Sequence, residues 1–169
     1  MQWYRRLGTA EVSKHRRDGM AGEATSPGAE PGQDGSGSQS HERPEFRILI
    51  VEDNRSFREA LGAGLQAHFP NLNVTMAGRI QEARAKLQSM QPDLMFIDMR
   101  LPDGNGLDFT RSIRAAGNKC VIIVLTSHDL PEYRIAASSS GANHFMTKGS
   151  VHIDEIFAVV ESFIALRFG

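Results

Sequence analysis

Five residues in four places, each directly after a short apolar run, are of types that together could handle a phosphoryl group. Glu52 and Asp53 follow Phe46-Arg47-Ile48-Leu49-Ile50-Val51, and Asp98 closes Leu94-Met95-Phe96-Ile97 ahead of Met99-Arg100-Leu101-Pro102-Asp103-Gly104-Asn105-Gly106. Thr126 follows Val121-Ile122-Ile123-Val124-Leu125, and Lys148 follows Asn143-His144-Phe145-Met146-Thr147. Three carboxylates brought together repel one another and raise at least one pKa unless a cation neutralises them. A hard divalent ion meets that need, and Mg2+ takes one or two protein carboxylates with the balance from water and phosphate oxygens. Asp98 could then attack phosphorus and become an acyl phosphate. Mg2+ and the Lys148 ammonium would offset charge on the equatorial oxygens, and the Thr126 hydroxyl would donate to one of them. Singly, each residue has a plainer use: Asp98 and Thr126 as capped strand ends, Lys148 as a solvated cation, Glu52 and Asp53 as an exposed turn. Their joint order on the chain is what argues for chemistry.

For that chemistry the apolar runs must be strands of one sheet. Phe46 to Val51 reads as a buried strand; Asn54 then offers a helix cap, and Phe57, Leu61, Gly64, Leu65 and His68 recur at helical spacing until Pro70. Leu72 to Ala77 is a weaker strand, and Ile80, Ala83, Leu87 and Met90 mark a second helix that ends before Pro92. After the strand Asp93 to Asp98, a third helix runs from Gly106 or Leu107 to about Ala116, stopped by Gly117 and Asn118. Val121 to Leu125 is the most plainly buried strand. Pro131 opens a fourth helix whose residues Ala136-Ala137-Ser138-Ser139-Ser140 give a thin apolar face and marginal stability. Asn143 to Thr147 is a fifth strand, and Ile153, Ile156, Phe157, Val160, Phe163 and Ile164 lie along one side of a last helix. Such strand-helix pairs, with right-handed crossovers, predict an α/β fold: a doubly wound five-stranded parallel sheet with helices on both faces. All strand carboxyl ends then share one edge, where the reversal of strand order opens a crevice.

Composition narrows the alternatives. The chain has 169 residues, a formal net charge of −1 and a single cysteine. Cys120 therefore excludes an internal disulfide and thiolate metal sites, and reads as a small core residue. Acids and bases balance after Phe46, leaving no broad basic face for nucleic acid. No apolar run can span a bilayer, and Met1-Gln2-Trp3-Tyr4-Arg5-Arg6 lacks a signal peptide's apolar stretch, so a cytoplasmic protein is expected. Residues 1–44 are poor in large apolar residues and rich in Gly, Ser, Pro, Gln and charge, the composition of a disordered tail. The basic patch of Arg5, Arg6, Lys14, Arg16 and Arg17 is read as solvated or as a contact for an anionic partner, and Met20 as an alternative translation start. One folded domain is expected over 45–169, with no second domain after its last helix.

Ile48-Leu49-Ile50-Val51-Glu52-Asp53-Asn54 is similar to the first-strand motif of the receiver domains of two-component response regulators. Asp98-Met99-Arg100-Leu101-Pro102-Asp103-Gly104-Asn105-Gly106 resembles their phosphoacceptor loop. The resemblance covers nearly everything from Phe46 to Phe168 and implies a flavodoxin-like (βα)5 domain. It makes Asp98 the phosphoacceptor, with metal held by Glu52, Asp53, Asp98 and the backbone carbonyl of Arg100. Thr126 falls on the switch hydroxyl, Phe145 on the switch aromatic and Lys148 on the invariant lysine. A sensor histidine kinase or phosphotransfer protein is the implied donor and a downstream protein the implied target, with a homodimer also compatible. The implied protein is a stand-alone switch that assists its own phosphorylation and dephosphorylation and is not an enzyme of turnover.

Three residues depart from the family's usual pattern. Gly149 follows Lys148 where many members carry proline, Ser127 stands where Ala or Gly is commoner, and Phe145 lacks a phenol. Arg100 and His128 take the positions that set acyl-phosphate lifetime in this family, and Arg100 is expected to shield the phosphoryl group from water. Two rivals remain open on the sequence alone: a receiver-fold scaffold that works unphosphorylated, and a Mg2+-dependent hydrolase with Asp98 as nucleophile. Such hydrolases carry a second acid soon after the nucleophile as general acid, where this chain has Arg100 and Leu101.

Overall fold

A computed structural model describes residues 45–169; the expectations for residues 1–44, the disordered tail, its basic patch and the Met20 start, lie outside the described residues. Strands β1 (Phe46–Val51), β2 (Leu72–Ala77), β3 (Leu94–Asp98), β4 (Val121–Thr126) and β5 (His144–Thr147) form one sheet. They alternate with helices α1 (Arg55–His68), α2 (Ile80–Ser89), α3 (Gly106–Ala115), α4 (Pro131–Ser139) and α5 (Ile153–Phe168). The strand order is β2-β1-β3-β4-β5, with every pairing in this sheet parallel. The expected architecture is the observed one, and its order reverses between β1 and β3.

Period-two alternation explains why both faces of the sheet are covered. Leu49, Val51, Met95, Ile97, Ile122 and Val124 form one core with Ala83 of α2, Leu107, Phe109 and Ile113 of α3, and Ala137 of α4. Ile48, Ile50, Leu94, Phe96, Ile123 and Leu125 form the other with Phe57, Leu61 and Leu65 of α1 and Ile156 and Val160 of α5. Burying the apolar side chains of β1, β3 and β4 stabilises the fold by about 25 cal/mol per Å2 of area removed from water. Cys120 is buried, as its apolar neighbourhood suggested. Helix α4 is as thin as the sequence implied: only Ala137 is buried along it, and Ile135 is 67% exposed. Among the described residues, no helix is long and apolar enough to cross a membrane.

Local caps fix where the helices begin. The Asn54 side chain accepts from the Phe57 N–H at 3.0 Å and that of Asn105 from the Leu107 N–H at 2.7 Å. Helix α2 has no cap of its own, because Arg79 stands at its N-cap. Its cap comes from the β3–α3 loop, where the Asp103 carboxylate accepts from the Ile80 N–H at 2.8 Å and the Gln81 N–H at 2.9 Å. The same loop folds into a short antiparallel hairpin, Arg100–Leu101 against Gly104–Asn105, which the sequence pattern did not announce.

The hairpin closes tightly onto the end of β3. The Gly106 N–H donates to the Met99 carbonyl at 2.9 Å, and a Cβ on Gly106 would lie 2.1 Å from the Asp98 carbonyl oxygen. Backbone cannot yield that distance without moving Asp98. Gly106→Ala is therefore expected to destabilise the fold by roughly 2 kcal/mol or more, as overpacking does, read as a fall in the midpoint of urea denaturation. A midpoint equal to wild type would mean the loop relaxes freely.

Candidate functional site

Glu52 is the first residue beyond β1, a central strand, and this places its side chain inside the crevice. It is fully buried; its N–H donates to the Ala77 carbonyl at 3.0 Å and its Oε1 accepts from the Asn54 N–H at 3.1 Å. Asp53 is exposed beside it. Asp98 ends β3 and is 6% exposed. The register pairs Asp98 with Leu125, so Thr126 lies one residue further along the adjacent strand. Lys148 is tied to that strand by its own N–H, which donates to the Thr126 carbonyl at 2.7 Å.

The side chains converge. Lys148 Nζ lies 2.6 Å from Glu52 Oε2 and 3.1 Å from Asp98 Oδ1, and 5.1 Å from the centre of the Phe57 ring. One carboxylate oxygen from each of Glu52, Asp53 and Asp98 lies within 4.8 Å of the others. Opposite corners of a Mg2+ octahedron are about 4.2 Å apart, given bonds of 2.0–2.1 Å. Three ligands cannot all lie opposite one another, and adjacent corners are about 2.9 Å apart, so the acids must draw together to share such an ion. An all-carboxylate donor set suits a hard cation and offers nothing to a thiophilic one.

Burial sets the proton affinities. The Glu52 carboxyl is pushed up to about 7, first by burial and then by the charge of Asp98, while Lys148 and the Asn54 N–H pull it back. Asp98 is also raised, chiefly by burial; Lys148 and the Arg100 N–H hold it lower, and Asp53 adds to the rise. Two buried acids that resist ionisation, beside a third, have the electrostatic character of a cation site lacking its ion's charge.

Of the remaining expected site residues, Thr126 is 2% exposed and its Oγ1 accepts from the His128 N–H at 3.2 Å. Phe145 is half-buried against the α2-α3-α4 core, with the Arg134 guanidinium 4.9 Å above its ring. Arg134 is itself paired with Asp129 at 2.6 Å. Arg100 stands in the hairpin with its side chain exposed and its N–H bonded to the Asp98 carboxylate. Acid pair, third acid and amine therefore meet in one crevice, with the hydroxyl's residue on the adjoining strand; Phe145 stands off, beyond the strand that carries Thr126.

Two residues at the site escaped the sequence reading. In the sequence Asp103 is one residue of the loop after Asp98, and nothing local reveals a cap offered to a helix 23 residues upstream. Arg58 donates to the carbonyl oxygens of Glu52 and, at 3.4 Å, Asp53. A signal for Arg58 did exist: a cation near a helix N-terminus opposes the helix dipole and wants another partner.

The raised acids make metal-free stability pH-dependent. Below pH about 4.5, Glu52 is protonated in both folded and unfolded chains; between about 4.5 and 7 the folded form holds the proton longer, so stability falls as pH rises. Urea denaturation across this window should show a loss on the order of 1–3 kcal/mol that Glu52→Gln largely removes and saturating Mg2+ reverses. Parallel pH curves for wild type and Glu52→Gln would contradict this account of the site.

Residues 48–161 match the family model of the response regulator receiver domain. The swarming motility regulation protein RssB of Serratia marcescens is 40% identical over 103 residues, 61% of this chain and 46% of that protein. Response regulator MprA of Mycobacterium avium is 34% identical over 103 residues, 61% of this chain and 44% of its own length. The matched region thus spans under half the length of these curated relatives. Among solved structures, a two-component response regulator from Clostridium difficile superposes with a TM-score of 0.68 at 22% identity, covering 74% of this chain and 100% of that one. The chemotaxis response regulator CheY4 of Vibrio cholerae gives 0.64 at 23% identity, covering 71% and 99%. At these identities the structural likeness is one of fold.

Proposed function

The chain belongs to the response regulator receiver domain family, and on that footing we propose that Asp98 accepts a phosphoryl group from the phosphohistidine of a sensor histidine kinase or phosphotransfer protein. The observation that carries this reading is the Lys148 ammonium held between Glu52 and Asp98 at the crevice of the sheet. An isolated strand-end acid has no need of that partner; a nucleophile that must develop a phosphoryl bond has. In the transfer, the P–N bond of the donor breaks as an Asp98 oxygen bonds to phosphorus, and the imidazole leaves as a neutral ring after taking up a proton.

Mg2+ would be held by Glu52, Asp53, Asp98 and the carbonyl of Arg100, and would supply positive charge opposite the phosphoryl oxygens as negative charge shifts toward the acceptor. The protein's own residues do the rest. Lys148 offsets part of the rise that burial imposes on Asp98 and stands ready for one phosphoryl oxygen. Thr126, whose hydroxyl hydrogen is not committed by its bond from His128, can donate to another. Glu52, with both oxygens engaged by Asn54 and Lys148, orients the cluster.

Output follows from a population shift. Thr126 moves toward the phosphoryl group, Phe145 turns into the space left, and the face of α4 and β5 changes shape. Leu130 and Ile135, 40% and 67% exposed at and within the thin helix α4, give that face apolar anchors for a downstream protein. This reading makes the domain a cytoplasmic switch acting through protein contacts, without direct nucleic-acid binding and without enzymatic turnover.

Intact-mass measurement after incubation with acetyl phosphate and Mg2+ tests it. A phosphoryl adduct is expected on wild type and none on Asp98→Asn, and Lys148→Ala should form adduct at least tenfold more slowly. Equal adduct on wild type and Asp98→Asn would assign the phosphate elsewhere, and none on either would leave a scaffold that works unphosphorylated.

A further inference from the structure

The β1–α1 turn must present two adjacent acids to different places: Glu52 inward to Lys148, Asp53 outward to the mouth of the crevice. Nearly every backbone group of that turn has an assigned partner. The Glu52 N–H donates to the Ala77 carbonyl, the Asn54 N–H to Glu52 Oε1, and the Asn54 carbonyl accepts from the Arg58 N–H at 2.9 Å. The carbonyls of Glu52 and Asp53 both accept from Arg58 Nη1, the second at 3.4 Å. That guanidinium also packs against the next loop, for a Cβ added at Gly78 would stand 3.4 Å from its Nη1. Arg58 thus spans from the first turns of α1 across the loops that follow β1 and β2.

We propose that Arg58 is a positioning residue for the acid pair: by holding the Glu52 and Asp53 carbonyls it fixes the peptide orientation that aims the Asp53 carboxylate at the cation. The inference rests on the reading of Glu52, Asp53 and Asp98 as a Mg2+ site and deepens it. Two effects of Arg58 on the site compete. Its positive charge repels a divalent ion, and its hydrogen bonds preorganise the ligands. A guanidinium bonded to the carbonyls of the turn acts on the ion through its charge alone, which salt screens in part, whereas a ligand aimed wrongly loses its bond to the ion outright. Positioning therefore dominates, and losing Arg58 weakens the site. Both bonds come from one nitrogen, Nη1; lysine at the same place keeps the charge, but its shorter stem stops short of the position of that nitrogen, so it restores little.

Mg2+ titration of the metal-free full chain, followed by amide NMR shifts of residues 52–54, measures this directly. Arg58→Ala is expected to weaken Mg2+ binding about tenfold, in the range seen when residues supporting metal ligands are lost, with Arg58→Lys close to Arg58→Ala. Acetyl-phosphate labelling should show the same shift in half-saturating Mg2+ with an unchanged plateau rate, a split that general loss of structure would not give. Unchanged or tighter Mg2+ binding in Arg58→Ala, or a lowered plateau at saturating Mg2+, overturns the inference. Should Arg58→Ala fail to fold by circular dichroism, Arg58→Lys decides alone: wild-type affinity overturns the inference and weakened affinity supports it. Failure of wild type itself to bind Mg2+ would instead strike the parent reading.

Discussion

Buried charge is the constraint around which this domain is built. Taking carboxylates and an ammonium out of water costs several kcal/mol per ion, and a tight pair only partly offsets it. A fold seeking stability alone would fill the crevice with apolar side chains. Here Glu52, wholly buried, and Asp98, nearly so, are kept with Lys148 as their shared counter-charge. The arrangement is tolerable because β1 and β3, each flanked by strands on both sides, hold the two acids in place. Lys148 is itself fastened through its backbone to the end of β4. Cost and function share a source: groups that resist ionisation in the absence of a cation are those that gain most when one arrives.

The fold was written plainly in the sequence wherever burial is two-sided. Runs such as Val121 to Leu125 have no polar residue to spare, and each ends on the side chain that enters the crevice, so strand and site were legible together. Helix α1, with its strong apolar stripe, was legible from period alone. What escaped were contacts joining distant stretches. Asp103 reads as an ordinary turn acid until α2 is seen to lack a cap, and Arg58 as a surface charge until two carbonyls are found facing it. Pattern reports which face of an element is apolar; it is silent on a polar tip that crosses from one loop to another.

Phe145 shows a different limit. Residue type and register place it beside Val124, but not the fact that its ring lies under Arg134, which Asp129 in turn holds. The aromatic is thus braced from the α4 side by exposed charges, on the helix with the least buried surface. The domain is consequently uneven. Its β1-β3-β4 centre is clamped on both faces, whereas the strip formed by α4 and the edge strand β5 is held by fewer apolar contacts and is the part best able to change shape.

The borrowed cap on α2 has a consequence for synthesis. A helix normally carries its start signal in its own sequence, so it can form as soon as it is made. Here the carboxylate that satisfies the first N–H groups of α2 arrives 23 residues later than the helix it serves. On the ribosome, the leading end of α2 lacks this side-chain cap until the β3–α3 loop has emerged and folded back. Completion of that helix start therefore follows the placement of the loop.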